Sequence, residues 1–184
     1  NHALDNGAFR NLALEWVAYV AGKRESRRLM GDVVLTQNDI LRQVAYEDAS
    51  VTTSWTIDLH YPDPKNTRFF PGDEFKAVCN QEEIELYPIP YRCFYSRNVS
   101  NLFMAGRNIS VTHVALGTVR VMRTTAMMGE VVGMAAAVCR RHDVLPRTVY
   151  TSYLPELRSL MQKGCGQQNL PNNQQFNIGR RKHH

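Results

Sequence analysis

Two stretches decide how this chain is read: NLFMAGRNIS at 101–110 and GTVRVMRTTAMMGEVVGMAAAVCRR at 117–141. The first is a short apolar run that stops at Gly-Arg-Asn. It predicts a buried strand over 101–105 and a loop over 106–116. The second predicts a helix from about 118 to 140, with Ala126, Gly129, Gly133, Ala136 and Ala137 near one face. An interior glycine costs about 1 kcal/mol relative to alanine, so two cost about 2 kcal/mol. Close approach of another backbone, such as a sheet containing 101–105, would offset that. A small-residue packing face with no ligand is the alternative. Arg120, Arg123 and Glu130 argue against a membrane helix.

The start of that helix carries the chemical expectation. Free N–H groups at a helix N-terminus are partly positive and attract anions. Gly117 would let a ligand approach the backbone. Arg120 and Arg123 sit against the dipole, at about 0.3–1 kcal/mol each. They either turn to water or face something anionic. Strand, glycine turn and helix N-terminus together make the ligand crevice of an open α/β sheet.

Outward from this unit, NGAFRNLALEWVAYVAGK (6–23) has near-helical apolar spacing with Gly22 as a stop. GDVVL (31–35) reads as a short strand, followed by Thr36 with Asp39 three positions on, a capping pattern. SVTTSWTIDLH (50–60) is β-branched and aromatic and reads as a strand, and the proline-rich YPDPKNTRFFPGDE that follows reads as a loop. Strand segments over 75–96 are broken by Pro88 and Pro90, which suits edge or irregular structure. A last helix has Ser152 near its start and Gly164 after its end. The tail from 165 is polar, and its closing His183-His184 resembles a tag.

With 184 residues, 43% of them hydrophobic and 21% charged, the chain can bury a core. Its formal charge of +5 suits an anionic ligand, and no nucleic-acid motif accompanies it, so no nucleic-acid partner is expected. No apolar run approaches a membrane span of about 20 residues, and no membrane partner is expected. Cys79, Cys93, Cys139 and Cys165 form no CxxC pair and no cluster with zinc-ligand spacing, so ordinary thiols and no metal are expected. The first residue is not methionine, so the compartment, cytoplasmic or periplasmic, is left open.

The long run YPIPYRCFYSRNVSNLFMAGRNISVTHVALGTVRVMRTTAMMGEVVGMAAAVC resembles the C-terminal part of the FAD-dependent oxidoreductase family, within the two-dinucleotide-binding-domain flavoproteins. RESRRLMGDVVLTQNDI and SWTIDLHYP are similar to segments that precede it there, and the resemblance spans roughly 20–163. Some bacterial members carry a xanthan lyase label. The resemblance implies an α/β fold, α+β overall. It would comprise an N-terminal helix (1–30), a partial β substrate region (31–95), the last strand and helix of the FAD domain (96–145), a further helix (146–163) and a tail (164–184).

It also implies FAD as cofactor. Ala105, Gly106, Arg107 and Asn108 would pass the ribityl or diphosphate, and Gly117, Thr118 and Val119 would offer amides to the flavin N1–C2=O edge. Donors there suit the charge that reduction leaves. His113 would be a proton shuttle, Arg120 would hold a substrate carboxylate or the flavin edge, and His60, oriented by Asp58, is a further candidate. The alternative for His113 is a bond to backbone, and for the Arg24–Arg28 cluster a solvated face.

The GxGxxG fingerprint of such proteins is absent, and GCGQQN (164–169) follows a helix rather than a strand. The expected partners are therefore a missing N-terminal portion carrying that motif, or self-association into a homo-oligomer, and a small-molecule or sugar substrate. The chain alone is expected to bind FAD weakly or not at all and to be inactive. Two other functions compete. One is polysaccharide elimination using His60, Arg92, Trp55 and Tyr91. The other is a non-catalytic module in which the glycine-faced helix only packs.

Overall fold

Thr36 opens a helix in the way its spacing from Asp39 predicts. The structure, a computed structural model, describes residues 13, 15–20, 24–63 and 77–164. Helix α1 (Gln37–Leu41) begins where Thr36 Oγ1 accepts the Asp39 amide at 3.3 Å and the Asp39 carboxylate accepts the Thr36 amide at 2.8 Å. Each side chain thus satisfies a donor that the helix start would leave unpaired. The strand expected over 31–35 is reduced to a parallel bridge between Leu35 and Val111.

The strand expected over 50–60 is two strands, β1 (Ala49–Thr53) and β2 (Ile57–Pro62), which pair with different partners. β1 runs antiparallel to β4 (Tyr87–Pro90), with the fully buried pair Val51 and Ile89 facing the core. β2 runs antiparallel to β3 (Ala77–Glu82), and His60 lies opposite Cys79. Each sheet has two strands, so Pro88 and Pro90 sit on an edge where a missing N–H costs no ladder bond. Within 101–105 only Phe103 pairs, in an antiparallel bridge to Tyr95, so the expected strand is a loop with one bridge.

The single helix expected from 118 to 140 is two. Thr112 caps α2 (His113–Val119) by accepting the Ala115 amide at 3.4 Å, so the helix starts earlier than expected. Val121 then turns extended, with φ −76° and ψ 148°, and α3 (Met122–His142) begins. Asp143, left-handed at φ 52°, ends α3, and α4 (Pro146–Lys163) packs back along it. Proline at the first helical position and Gly164 beyond the end fit the α4 boundaries. Pro155 lies inside α4, where it lacks the N–H a helix needs, and Tyr153 is non-helical. Ser152 therefore stands at a kink rather than at a start. No helix forms over 15–20, where Trp16, Tyr19 and Val20 are exposed. The rest of that predicted helix, the loop over 64–76 and the tail from 165 lie outside the described residues.

The core lies between the β1–β4 sheet and the three later helices. α3 buries Met127, Met128, Val131, Ala135 and Val138 against Val149 and Leu157 of α4 and Val51 of β1. At about 1.5–3 kcal/mol for each large side chain, these set which way α3 faces. The small residues then point the other way. Ala126, Gly129, Gly133, Ala136 and Ala137 are all exposed, and a Cβ at Gly129 or Gly133 would meet nothing within 4 Å among the described residues. Among the described residues no sheet lies against that face, contrary to the expectation. Close backbone approach occurs instead at Gly117, whose Cβ would stand 3.0 Å from the carbonyl oxygen of Asp58. The result is an α/β mixture, as expected, with small antiparallel sheets and no closed barrel.

Candidate functional site

At the junction of α2 and α3 lies a cavity of about 740 Å3. Among the described residues its walls are Gly117 and Arg120 from α2 and its end, Val121 to Thr124 and Met127 from the start of α3, Thr52 to Trp55 at the end of β1 and just beyond it, Asp58 of β2, and Arg24 and Leu86. The junction is built by contacts between distant segments. Thr118 donates to the Trp55 carbonyl and accepts from Tyr87 Oη at 3.1 Å. Arg120 Nη2 donates to the Asp58 carbonyl at 2.8 Å, and Thr124 Oγ1 donates to Thr53 Oγ1 at 3.0 Å. α2 is thereby pinned to β2, and the chain turns at Val121 to run α3 along β1.

The start of α3 is a helix end that no side chain caps. Valine has no acceptor to offer the first amides, and within a helix those amides have no partner. A helix of 21 residues thus presents its positive end to the cavity. Among the described residues three arginines line the space, Arg24, Arg120 and Arg123, against one carboxylate, Asp58. The arrangement suits an anionic or electron-rich group, with Trp55 and Met127 as apolar surface.

The structure divides the residues singled out from sequence. Gly117 and Arg120 line the cavity. Thr118 and Val119 are buried in α2, and neither stands at a helix start. The amide-bearing end is at Met122, four residues beyond Thr118. His113 is the first residue of α2, with Nδ1 2.8 Å from Glu25 Oε1 and its ring tilted against Tyr61; it does not line the cavity. His60 pairs with Asp58 at 3.1 Å, as their shared strand face predicts. Ala105 to Asn108 form a turn in which Gly106 adopts φ 97°, a conformation glycine tolerates without strain. Arg107 there donates to the Arg24 carbonyl at 2.8 Å.

Val121 and Met122 had no place in the sequence-derived site, and Trp55 stood only in the polysaccharide reading. The only signal for the helix start was valine, a poor cap, ahead of Met-Arg-Thr. Tyr91 and Arg92, which the sequence offered only to that reading, are structural. Tyr91 Oη donates to the Pro146 carbonyl at 2.8 Å within the core. Arg92 is held by Asp48 and lies over the Tyr150 ring. The polysaccharide-elimination reading therefore loses Tyr91 to the core and Arg92 to its ion pair with Asp48.

A family model for FAD dependent oxidoreductase matches residues 3–161. The chain belongs to the FAD dependent oxidoreductase family. No curated protein and no solved structure matches it. The family's cofactor can be tested against the cavity. An FAD dependent oxidoreductase needs donors toward the electron-accepting edge of the ring and apolar surface beside it. The uncapped α3 end, Arg120 and Trp55 meet that requirement, and the volume lies within the range of cofactor pockets, about 300–1,000 Å3.

Proposed function

We propose that this chain serves a flavin-dependent oxidoreductase by holding the isoalloxazine ring in the cavity between α2 and α3. The observation that carries the reading is the uncapped N-terminus of α3 opening on a cavity with an arginine excess. FAD, when bound, accepts two electrons and a proton, and negative charge accumulates along its N1–C2=O edge. The uncapped amides at Met122 and Arg123 would be the donors toward that edge, and the α3 dipole would add to their effect. Arg120, tethered through the Asp58 carbonyl, supplies a fixed cation without having to reorganise. Trp55 covers ring surface and excludes water. Gly106 and Arg107, at the turn beside Arg24, are placed for the remainder of the cofactor.

The exposed small-residue face of α3 is the surface on which a portion bearing the GxGxxG fingerprint would pack. That assembly would complete the dinucleotide site.

FAD titrated onto the chain, to concentrations high enough for the weak binding expected of this part of the site alone, tests the reading. Trp16 is replaced by Phe so that Trp55 is the single tryptophan. Quenching of Trp55 in step with flavin binding is expected, together with loss of binding when Ser54→Trp fills the cavity. In the flavin-loaded protein Arg120→Met should lower the flavin midpoint potential by about 30 mV, equivalent to about 1.4 kcal/mol for a two-electron couple. Flavin binding that leaves Trp55 emission unchanged and ignores Ser54→Trp would refute the placement.

A further inference from the structure

The β2–β3 hairpin brings together three side chains that the sequence keeps apart. Asp58 and His60 lie two positions apart on β2, and side chains two apart on a strand share a face. Cys79 of β3 lies directly across from His60, so it projects from that same face. Asp58 Oδ2 is 3.1 Å from His60 Nε2. Cys79 Sγ donates to the other carboxylate oxygen, Oδ1, at 3.2 Å. One ligand atom from each residue lies within 4.8 Å of the other two.

We propose that Asp58, His60 and Cys79 form a binding site for a single zinc-type divalent cation, with its fourth position open. Bonds of about 2.0–2.3 Å in tetrahedral geometry separate ligand atoms by about 3.3–3.6 Å, so small side-chain rotations suffice. The mixed donor set selects the metal class. A thiolate and an imidazole suit Zn2+ or Co2+. One carboxylate is too little oxygen for Ca2+ or Mg2+. His60 and Cys79 are exposed, which gives an ion its entry path. The paired strands fix two of the ligands in register before any ion arrives.

Binding replaces the Cys79 Sγ–H bond with a sulfur–metal bond, and the proton leaves to solvent. Asp58 accepts the hydrogen bond of the proton that leaves, so ion and proton compete and affinity rises with pH. Among the described residues Arg120, held at the Asp58 carbonyl, is a cation beside the cluster, and it works against a second positive charge. Asp58 also forms part of the cavity wall, so the ion would border the cavity. The proposal does not depend on flavin and is tested without it.

Co2+ alone, titrated onto the reduced chain, is the probe. One equivalent should bind with tetrahedral visible bands and a near-ultraviolet thiolate-to-cobalt band, and Zn2+ should displace it. Cys79→Ser should abolish the near-ultraviolet band. His60→Ala and Asp58→Asn should each weaken binding at least about tenfold, since even outer-shell losses cost that much. Zn2+ should raise the melting temperature of the parent chain and not that of Cys79→Ser. A His183→Ala/His184→Ala double variant should bind as the parent does. The site is refuted by a near-ultraviolet band that survives Cys79→Ser, by binding that disappears in the His183/His184 variant, or by absence of that band in a folded parent chain. The last outcome would leave Asp58, His60 and Cys79 as a hydrogen-bonded surface trio only.

Discussion

Asp48 is fully buried, and its carboxylate takes the Arg92 amide at 2.9 Å together with both guanidinium arms at 2.9 and 2.8 Å. Three charge-assisted bonds and the Tyr150 ring beneath Arg92 replace the water that burial removed. Arg92→Met would leave that carboxylate without its cation, at a cost of about 3–5 kcal/mol. Equilibrium denaturation should read the loss, and a change within 1 kcal/mol (about the size of an ordinary surface effect) would show the pair to be dispensable. Asp32 joins α4 to the 31–35 segment, accepting from Arg147 Nε at 2.8 Å and Tyr95 Oη at 2.7 Å. The Arg147 hydrogen bond holds its carboxyl below the ordinary value of 3.8. A carboxylate more acidic when folded adds stability that is complete above the unfolded value and lost as pH falls through the folded one. Melting temperature should therefore drop below about pH 4 with a slope that Asp32→Asn reduces. An acid limb unchanged in that variant would assign the slope to other carboxylates, such as Glu156 beside His142.

α3 has two faces, and the costs of its glycines are met on neither. Gly129 and Gly133 are exposed, and a Cβ at either would meet open space among the described residues. Each alanine substitution should stabilise the chain by about 1 kcal/mol, because helix propensity improves and no contact is lost. Thermal unfolding of the two single variants checks this, and destabilisation by either would mean that a backbone does lie against this face. That a long helix covers most of this stretch was legible from the spacing of Ala126, Gly129, Gly133, Ala136 and Ala137. Which face would be buried was not legible, because a small-residue stripe and a large-residue stripe both read as packing surfaces until their partners are known. The caps at Thr36 and Gly164 were legible because they depend on neighbours within a turn. The break at Val121 was not. Val-Met-Arg-Thr continues a helix as readily as it starts one, and what stops α2 is the clamp of Thr118 on Trp55 and of Arg120 on Asp58, more than sixty residues away in the chain. The Asp58–Cys79 contact is likewise invisible to spacing rules, since it rests on strand register across a separation of 21 residues.

The whole molecule is basic, with formal charge +5, and its cavity repeats the bias, three arginines to one carboxylate. On the proposed reading, a field of that sign would concentrate an anionic dinucleotide at the junction of α2 and α3 before any specific contact forms. Such attraction is screened as the Debye length shrinks from about 30 Å at about 0.01 M salt to about 8 Å at about 0.15 M. FAD carries a diphosphate and riboflavin does not, while both carry the same ring. FAD affinity should therefore fall between those two salt concentrations, while riboflavin affinity, set by the ring in the cavity, holds steady. Flavin fluorescence anisotropy at both concentrations measures each directly. Arg24→Gln should flatten the FAD response and weaken riboflavin less, because Arg24 lies at the edge where its carbonyl holds the Arg107 turn. If both ligands weakened equally with salt, the arginines would be acting on the fold rather than on the phosphates. If neither responded, the charge excess would be a solvated surface, and the helix end alone would have to account for binding.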